Sequence, residues 1–401
     1  MIQDWTGNLD LPPTPPPRSM PHTALVHEWL TPHATGGSEL VVKAILEVVE
    51  ADLYALIDFE SRNPHSYLYQ RSIGTTFLQH WPKADRGVQK YLPLLPLAIE
   101  QLDLRQYDLI LSSSHAVAKG VLTAPHQTHI CYCHTPMRYA WDLTFDYLAR
   151  SRAGQGAIGW VTKALLHYLR QWDVISANRV DHFLANSRHT ARRIWRCYRR
   201  EAEVLYPPVE VDRFSFEAAK QDFYLVVSRL VSYKQIPLLV RAFNRLGLPL
   251  VVIGGGPELP QVQALAGPNV EILGPQPDAV VERYMGQAKA FLYAACEDFG
   301  ITLLEAQACG TPVIAYGRGG ALETVRDLRR DPSGATGLLF PEQSEASIVE
   351  AVQYFEQRRS SIDPYQCRIQ SEQFRPQVFA QRYQAVLDRH LTAPPSARVQ
   401  D

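Results

Sequence analysis

The chain has 401 residues, 46% of them hydrophobic and 20% charged, with a formal net charge of -1. That length accommodates two ordinary domains, and the composition excludes a disordered, fibrous or membrane-spanning chain. A balance this close to neutral supplies no global field to recruit nucleic acid or anionic lipid, so any such attraction must come from a local patch.

Residues 1–21 are rich in proline (Leu11-Pro12-Pro13-Thr14-Pro15-Pro16-Pro17) and have no apolar signal core. They read as an extended, disordered leader. A short strand is predicted over 22–27, then a loop through Gly36-Gly37 and an apolar-periodic helix over 38–49. Further strands are predicted at 53–57, 109–112, 129–133 and 182–185, with helices between them, notably 158–176 and 187–198. Strands separated by helices imply a parallel sheet. Tyr206-Pro207-Pro208-Val209 interrupts the pattern. Two adjacent prolines continue neither a strand interior nor a helix, so this is the link between domains. The alternation restarts with strands at 223–228, 250–253, 270–273, 291–294, 313–315 and 337–340, and a last helix covers 376–390. The expected fold class is α/β, with two Rossmann-like parallel-sheet domains over 22–206 and 207–373, then a terminal helix and tail over 374–401.

Six cysteines (Cys131, Cys133, Cys197, Cys296, Cys309, Cys367) are scattered without a Cys-x2-Cys pair, which reads as reduced thiols in a cytoplasmic compartment. Cys131-x-Cys133-His134 would need one strand to present three ligands on alternating faces, and no second cluster completes it, so no metal is expected. No apolar run reaches the roughly 18 residues of a membrane-spanning helix.

Three stretches carry chemistry. In Val226-Val227-Ser228-Arg229-Leu230-Val231-Ser232-Tyr233-Lys234 a buried strand ends and delivers two cations. A departing diphosphate needs such cations, because its charge grows as the bond to it breaks. Arg229 supplies a planar fork and Lys234 a mobile point charge. In Cys296-Glu297-Asp298-Phe299-Gly300-Ile301-Thr302-Leu303-Leu304-Glu305 another strand ends in carboxylates and turns at Gly300 into a helix. Amides after Gly300 favour an anionic group such as phosphate. Glu297 and Glu305 can accept hydrogen bonds from sugar or ribose hydroxyls. In His134-Thr135-Pro136-Met137-Arg138-Tyr139-Ala140-Trp141-Asp142 an imidazole stands at a strand end. Arg138, Tyr139 and Trp141 are candidates for the acceptor, the cation for a phosphate and the rings for sugar or lipid. Gly254-Gly255-Gly256-Pro257 is not Gly-x-Gly-x2-Gly and reads as a strand-to-helix turn, which disfavours a nicotinamide-dependent dehydrogenase. Arg188, Arg192, Arg196 and Arg199 recur at helical spacing beside Trp195 and Tyr198. This pattern fits a solvated basic face or a peripheral contact with anionic membrane, and no nucleic-acid motif accompanies it.

These stretches resemble the signatures of the retaining, family-4 glycosyltransferases with the GT-B fold, over about residues 24–391. The resemblance implies that Glu297 faces the donor sugar and Glu305 holds the ribose. It places the backbone of Asp298, Phe299, Gly300 and Ile301 near the sugar and its phosphates, Gly36 and Gly37 beside the reacting centre, the backbone around Gly274 at the base, and His134 against the sugar. It also implies that the terminal helix crosses back onto the first domain. The family's Gly/Ser-Arg-Leu-x3-Lys pattern is often followed by Gly, where this chain has Gln235. The His134–Asp142 string is similar to a subgroup of bacterial mannosyltransferases of surface polysaccharide assembly, which points to GDP-mannose.

The expected catalytic set is His134, Glu297, Arg229 and Lys234, acting without a metal or cofactor. The donor is a nucleotide diphosphate sugar and the acceptor a glycan or lipid-linked glycan. The expected location is the cytoplasm, with a peripheral association at the inner face of the cell membrane admitted by the basic helix. Two other classes fit less well. A GT-B nucleotide-sugar epimerase binds the same donor and transfers to no acceptor, and a non-catalytic sugar-nucleotide-binding subunit would not need the full set of charged residues.

Overall fold

A computed structural model describes residues 21–32, 36–145, 148 and 156–392. Of the Pro-rich segment, all but Pro21 lies outside these residues. The described chain forms two sheets. The first comprises β1 (Thr23–His27), β2 (Asp52–Ala55), β3 (Ile73–Thr75), β4 (Leu109–Ser114), β5 (Thr128–Cys133), β6 (His182–Ala185) and β7 (Ala202–Val204), in the order β3-β2-β1-β4-β5-β6-β7. The second comprises β8 (Tyr224–Val227), β9 (Leu250–Ile253), β10 (Val270–Gly274), β11 (Ala290–Tyr293), β12 (Val313–Tyr316) and β13 (Gly337–Phe340), in the order β10-β9-β8-β11-β12-β13. The paired strands run parallel in both sheets.

Every predicted strand forms, and the fold class is as expected. The edge strands β3 and β7 were not predicted. Each is three residues long and only partly buried, so it carries no apolar run to read.

Apolar layers cover both faces of each sheet, which is why the central strands are apolar almost throughout. Leu25, Leu53, Leu111 and Ile130 fill one layer of the first domain, while Ala24, Val26 and Ile110 fill the other. The last helix, Pro376–Thr392, places Phe379, Tyr383, Val386 and Leu387 in the same layer as Leu25 and Leu111. It therefore packs on the first domain although it follows the second in sequence.

Strand order reverses between β1 and β4 in the first sheet and between β8 and β11 in the second. Connections on either side of such a point leave in opposite directions and open a crevice beyond the carboxyl ends of the strands, where open α/β sheets bind ligands. His27, Glu28 and Ser113 to His115 stand at the first crevice. Arg229 to Lys234 and Cys296 to Glu305 stand at the second. The two domains meet through these ends. A Cβ on Gly37, at the start of the helix Gly37–Val48, would lie 2.5 Å from Ile301 Cδ1 of the second domain. Room for Ile301, rather than an unusual backbone angle, is what glycine provides there.

The turn after β9 behaves as its sequence suggested. Gly254 and Gly256 have φ of 137° and 154°, and a Cβ would stand 1.9 Å from Ser228 O and 2.4 Å from Leu230 O respectively. Glycine is needed so that this turn can pack on the backbone that carries Arg229.

Phe379→Ala should lower stability by about 3–5 kcal/mol by opening a cavity under the last helix. A urea denaturation midpoint equal to that of the parent would show that this helix does not belong to the first domain's core.

Candidate active site

The second domain builds the more polar half of the cleft. β8 ends at Val227, and the chain turns through Arg229 to a short helical turn, Ser232–Lys234. The side chain of Lys234 returns over the sheet, where Nζ lies 2.5 Å from Glu297 Oε1 and donates to the Tyr293 hydroxyl at 2.5 Å. Both charged groups are mostly shielded, with side-chain exposures of 15% and 17%. In that setting a pair of opposite charges fixes two side chains in one geometry. Burial and the charge of Glu297 push the Tyr293 hydroxyl well above its ordinary value, so Tyr293 stays neutral.

Glu297 belongs to the turn after β11. A β-bridge to Gly319 holds this turn, and a Cβ on Gly319 or Gly320 would stand 2.2 Å from Glu297 O or 2.1 Å from Phe299 O. The Phe299 ring is buried between Tyr206 and Phe374, so only its backbone is presented to the cleft. Gly300, at φ 90°, opens the helix Ile301–Ala308. The first amides of a helix have no partner within it and are available to an anion.

Glu305 lies one turn into that helix. It lines a cavity of about 440 Å³ with Arg229, Ser228, Gly254, Gln276 and Arg213. Burial raises the Glu305 carboxyl to about 7, and the charge of Arg213 only partly offsets this. Arg229 is exposed at the mouth. Gly274, at φ 67°, accepts the Gly254 N–H through its carbonyl at 2.9 Å, which ties β10 to the turn at the cavity's edge.

The first domain contributes a cluster of imidazoles. His134 Nε2 lies 2.8 Å from Ser113 Oγ, and the His134 carbonyl accepts from Asn186 Nδ2 at 3.0 Å. Burial, with His115 and His27 nearby, drives the His134 imidazole well below its ordinary value. It is therefore a neutral hydrogen-bonding group. His115 stands 5.9 Å from His27 and 6.3 Å from His134 between ring centroids. Beneath them Glu28, fully buried, accepts the backbone N–H groups of His115, Ala116, Val117 and Ala118 at 2.7–3.1 Å. Burial alone would raise this carboxyl, but the charge of His115 and the backbone donors outweigh it and hold the group below its usual value. Gly36 donates its N–H to Glu39 Oε2 at 2.8 Å, which closes the loop before the first helix.

The acceptor candidates are more committed than their sequence suggested. Arg138 Nη2 donates to Cys296 O at 3.2 Å, and its Nη1 lies 3.7 Å from Asp298 Oδ2. Trp141 Nε1 donates to the buried Asp173 at 2.8 Å. Tyr139 packs partly buried against the first domain's core. Asp298, expected near the donor, points its carboxylate to Arg193 at 2.6 Å and to Arg138.

Sequence reasoning missed His27 and Glu28, and His115 far along the chain from them; the three meet only because β1 and β4 are neighbours. It also missed Tyr293, Arg193, Arg213 and Glu323. Tyr293 was legible as an aromatic at the end of a strand predicted to carry a site. No local pattern marks the others.

Comparison with known proteins speaks to family and fold. The family model described as Glycosyltransferase Family 4 matches residues 35–213, and that described as Glycosyl transferases group 1 matches residues 209–372. The D-inositol 3-phosphate glycosyltransferase of Mycobacteroides abscessus is 32% identical over 173 residues, 37% of this chain and 38% of that protein. The GDP-mannose-dependent alpha-(1-6)-phosphatidylinositol monomannoside mannosyltransferase of Mycolicibacterium smegmatis is 29% identical over 180 residues, 37% of this chain and 46% of that protein. The matched stretch thus spans less than half the length of either relative. Among solved structures, sucrose-phosphate synthase from Thermosynechococcus elongatus superposes with a TM-score of 0.67 at 17% identity, over 92% of this chain and 100% of that one. Anabaena HepE in complex with UDP superposes with a TM-score of 0.63 at 16% identity, over 91% and 100%. At those identities the likeness speaks for the fold.

The raised Glu305 carboxyl has a consequence for stability. Its value rises from 4.5 to about 7 on folding, so the folded chain holds a proton there that the unfolded chain releases. The stability linked to that proton is fully present below pH 4.5 and is lost as pH rises through about 7, a change of about 3 kcal/mol. Glu305→Gln should flatten this slope when melting temperatures of the two proteins are compared between pH 5 and 8. Parallel curves would show that Glu305 is ionised throughout.

Proposed function

This chain belongs to the family-4 glycosyltransferases, and from that premise we propose that it transfers a hexose from a nucleotide diphosphate sugar to a hydroxyl, with retention at the anomeric carbon. The observation that carries the reading is the Lys234–Glu297 pair at 2.5 Å, beside a cavity lined by Glu305 and Arg229 at the strand-order reversal of the second sheet. Cations for a leaving diphosphate and carboxylates for sugar and ribose hydroxyls stand together there, facing a neutral His134 across the cleft.

The reaction breaks the bond from the anomeric carbon to the phosphate oxygen and forms one from that carbon to the acceptor oxygen on the same face. The acceptor proton passes to the departing phosphate. Arg229 and Lys234 stabilise the charge that grows on the diphosphate, which is the electrostatic work a metal would otherwise supply, and no added metal is needed. Glu297, fixed by Lys234, orients the sugar through its hydroxyls. Glu305, once ionised, accepts from the ribose, and His134 exchanges a hydrogen bond with a sugar hydroxyl near the reacting carbon. The helix opening at Gly300 and the loop at Gly36-Gly37 flank the phosphates.

Within this activity we take the sugar as mannose, the donor as GDP-mannose and the acceptor as a glycan or lipid-linked glycan of surface polysaccharide. The His134–Asp142 string and the GDP-mannose dependence printed for the Mycolicibacterium relative support that choice. The test is nucleotide release from GDP-mannose, UDP-glucose, UDP-N-acetylglucosamine, UDP-galactose and GDP-fucose, with and without acceptor. Release should occur with one donor and fall by about 100-fold in Lys234→Ala. An epimerised nucleotide sugar, or binding with neither hydrolysis nor transfer, would replace this reading. A requirement for added divalent metal would overturn the role given to the two cations.

The protein acts at the cytoplasmic face of a membrane on this reading, held peripherally. Among the described residues no helix is long and apolar enough to cross a bilayer. The helix Arg188–Tyr198 exposes Arg188, Arg192 and Arg196, with Arg199 just beyond it and Trp195 half exposed, and the helix Gly156–Ala177 exposes Trp160 and Val161 at 75% and 70%. The one carboxylate on these two helices, Asp173, is fully buried. Cations and rings without surface acids suit an anionic interface. Sedimentation with phosphatidylglycerol vesicles, but not with phosphatidylcholine vesicles, should be seen and should be lost in Arg192→Glu/Arg196→Glu. Equal recovery in the supernatant with both lipids would remove the membrane from the picture.

A further inference from the structure

Four charged groups bridge the two domains in an alternating chain. Arg193, on the helix Arg188–Tyr198 of the first domain, donates Nη1 to Asp298 Oδ1 at 2.6 Å and Nη2 to Asp142 Oδ1 at 2.6 Å, and it also donates to Thr135 Oγ1. Asp298 turns its second oxygen toward Arg138, 3.7 Å away, and Arg138 reaches the carbonyl of Cys296. Three of the four side chains are 12–18% exposed, and Asp142 is 44% exposed. Charges this shielded are strongly coupled, and removing one leaves its partners uncompensated.

The helix that carries Arg193 is held at both ends. Its N-terminus is capped from the other domain: Glu323 accepts the N–H of Arg188 at 2.9 Å and of His189 at 3.1 Å, and Tyr206 donates to the same carboxylate at 3.1 Å. A carboxylate at a helix N-terminus satisfies free amides and complements the helix dipole. At its other end Tyr198 donates to Asp173 at 2.8 Å. Asp173 also accepts from Trp141 at 2.8 Å and pairs with the buried Lys119 at 2.5 Å. Residues 135–142 are therefore tied at Thr135 and Asp142 to Arg193, at Trp141 to Asp173, and at Arg138 to the second domain.

We infer that Arg193 and Asp298 are positioning residues that hold the domains closed and set the segment 135–142, with His134 before it, in register with the donor site. This inference rests on the glycosyl-transfer reading for what is being positioned, but its geometry does not. Asp298 follows Glu297 directly, so a movement of its carboxylate moves the turn that carries Glu297. Arg193 touches both that turn and two points on the acceptor-side segment. Its planar fork suits the task, because two of its nitrogens reach two carboxylates on different domains at once. Arg138 and Asp298 accordingly act through the closed cleft rather than by direct contact with acceptor or donor.

The test compares Arg193→Gln, Asp298→Asn, the double variant and Arg193→Lys with the parent, all as full chains. Three quantities are read: affinity for GDP and GDP-mannose, radius of gyration by small-angle X-ray scattering, and kcat and acceptor KM. Both single variants and the double should keep donor affinity within about twofold and show a larger radius of gyration, with kcat lowered by at least about tenfold. The double should cost less than the sum of the two singles, because both substitutions break the shared Arg193–Asp298 contact. Arg193→Lys keeps the charge but cannot hold two carboxylates in the same way, and should fall between; it also serves if Arg193→Gln does not fold. A tenfold loss of donor affinity confined to Asp298→Asn would make Asp298 a donor ligand and overturn the inference. An unchanged radius of gyration in every variant would overturn it too. If the parent transfers no sugar, the activity reading fails while affinity and scattering still decide the closure.

Discussion

Burial of both faces of each sheet is the constraint on which the rest depends. Helices cover the sheets from both sides, so the central strands spend nearly all their side chains on the core and leave no lateral surface for chemistry. Polar groups are confined to the strand ends, and the reversal of strand order opens that end into a crevice. This happens once in each domain, at β1/β4 and at β8/β11, and the two openings face each other. A cleft between two such crevices divides the work. One side offers cations and carboxylates, and the other offers a cluster of imidazoles over the buried Glu28.

The contrast between the sides has an electrostatic origin. Lys234 and Glu297 answer each other directly, with Nζ 2.5 Å from Oε1. Burial, with His115 and His27 close by, leaves His134 neutral. Glu305 is between these cases. Arg213 is near, yet its guanidinium is already paired with Glu282 at 2.6 Å and Asp278 at 2.9 Å. Burial consequently carries the carboxyl of Glu305 toward neutrality. A ligand that donates hydroxyls there would supply the compensation that the protein withholds.

Many of the interdomain contacts at the site are polar. Beside the packing of Ile301 on Gly37, of Phe299 on Tyr206 and of the last helix on the first domain, the domains meet near the site through Arg193, Arg138, Asp298 and Glu323. Polar contacts of this kind are sensitive to geometry and reversible in water, which suits a cleft that must admit and release ligands. A fully apolar seam would favour permanent closure.

Much of this was legible in the chain itself. Apolar runs at regular intervals defined the central strands, the Pro207-Pro208 pair falls between β7 and β8, and Arg229 and Glu297 stood out because charges soon after a buried strand require a reason, with Lys234 and Glu305 read from their spacing to these. Those features are local, and local sequence determines them. What the sequence left open depends on neighbours distant along the chain. Only the β1–β4 pairing brings His27 and Glu28 to His115, and only the fold of the second domain sets Arg213 beside Glu305. Arg138 and Asp298 looked like ligand contacts because an isolated segment shows charges but not partners. The tertiary structure gave them one another, with Arg193 between, because closing two domains over a cleft buries those charges and burial demands that they be paired.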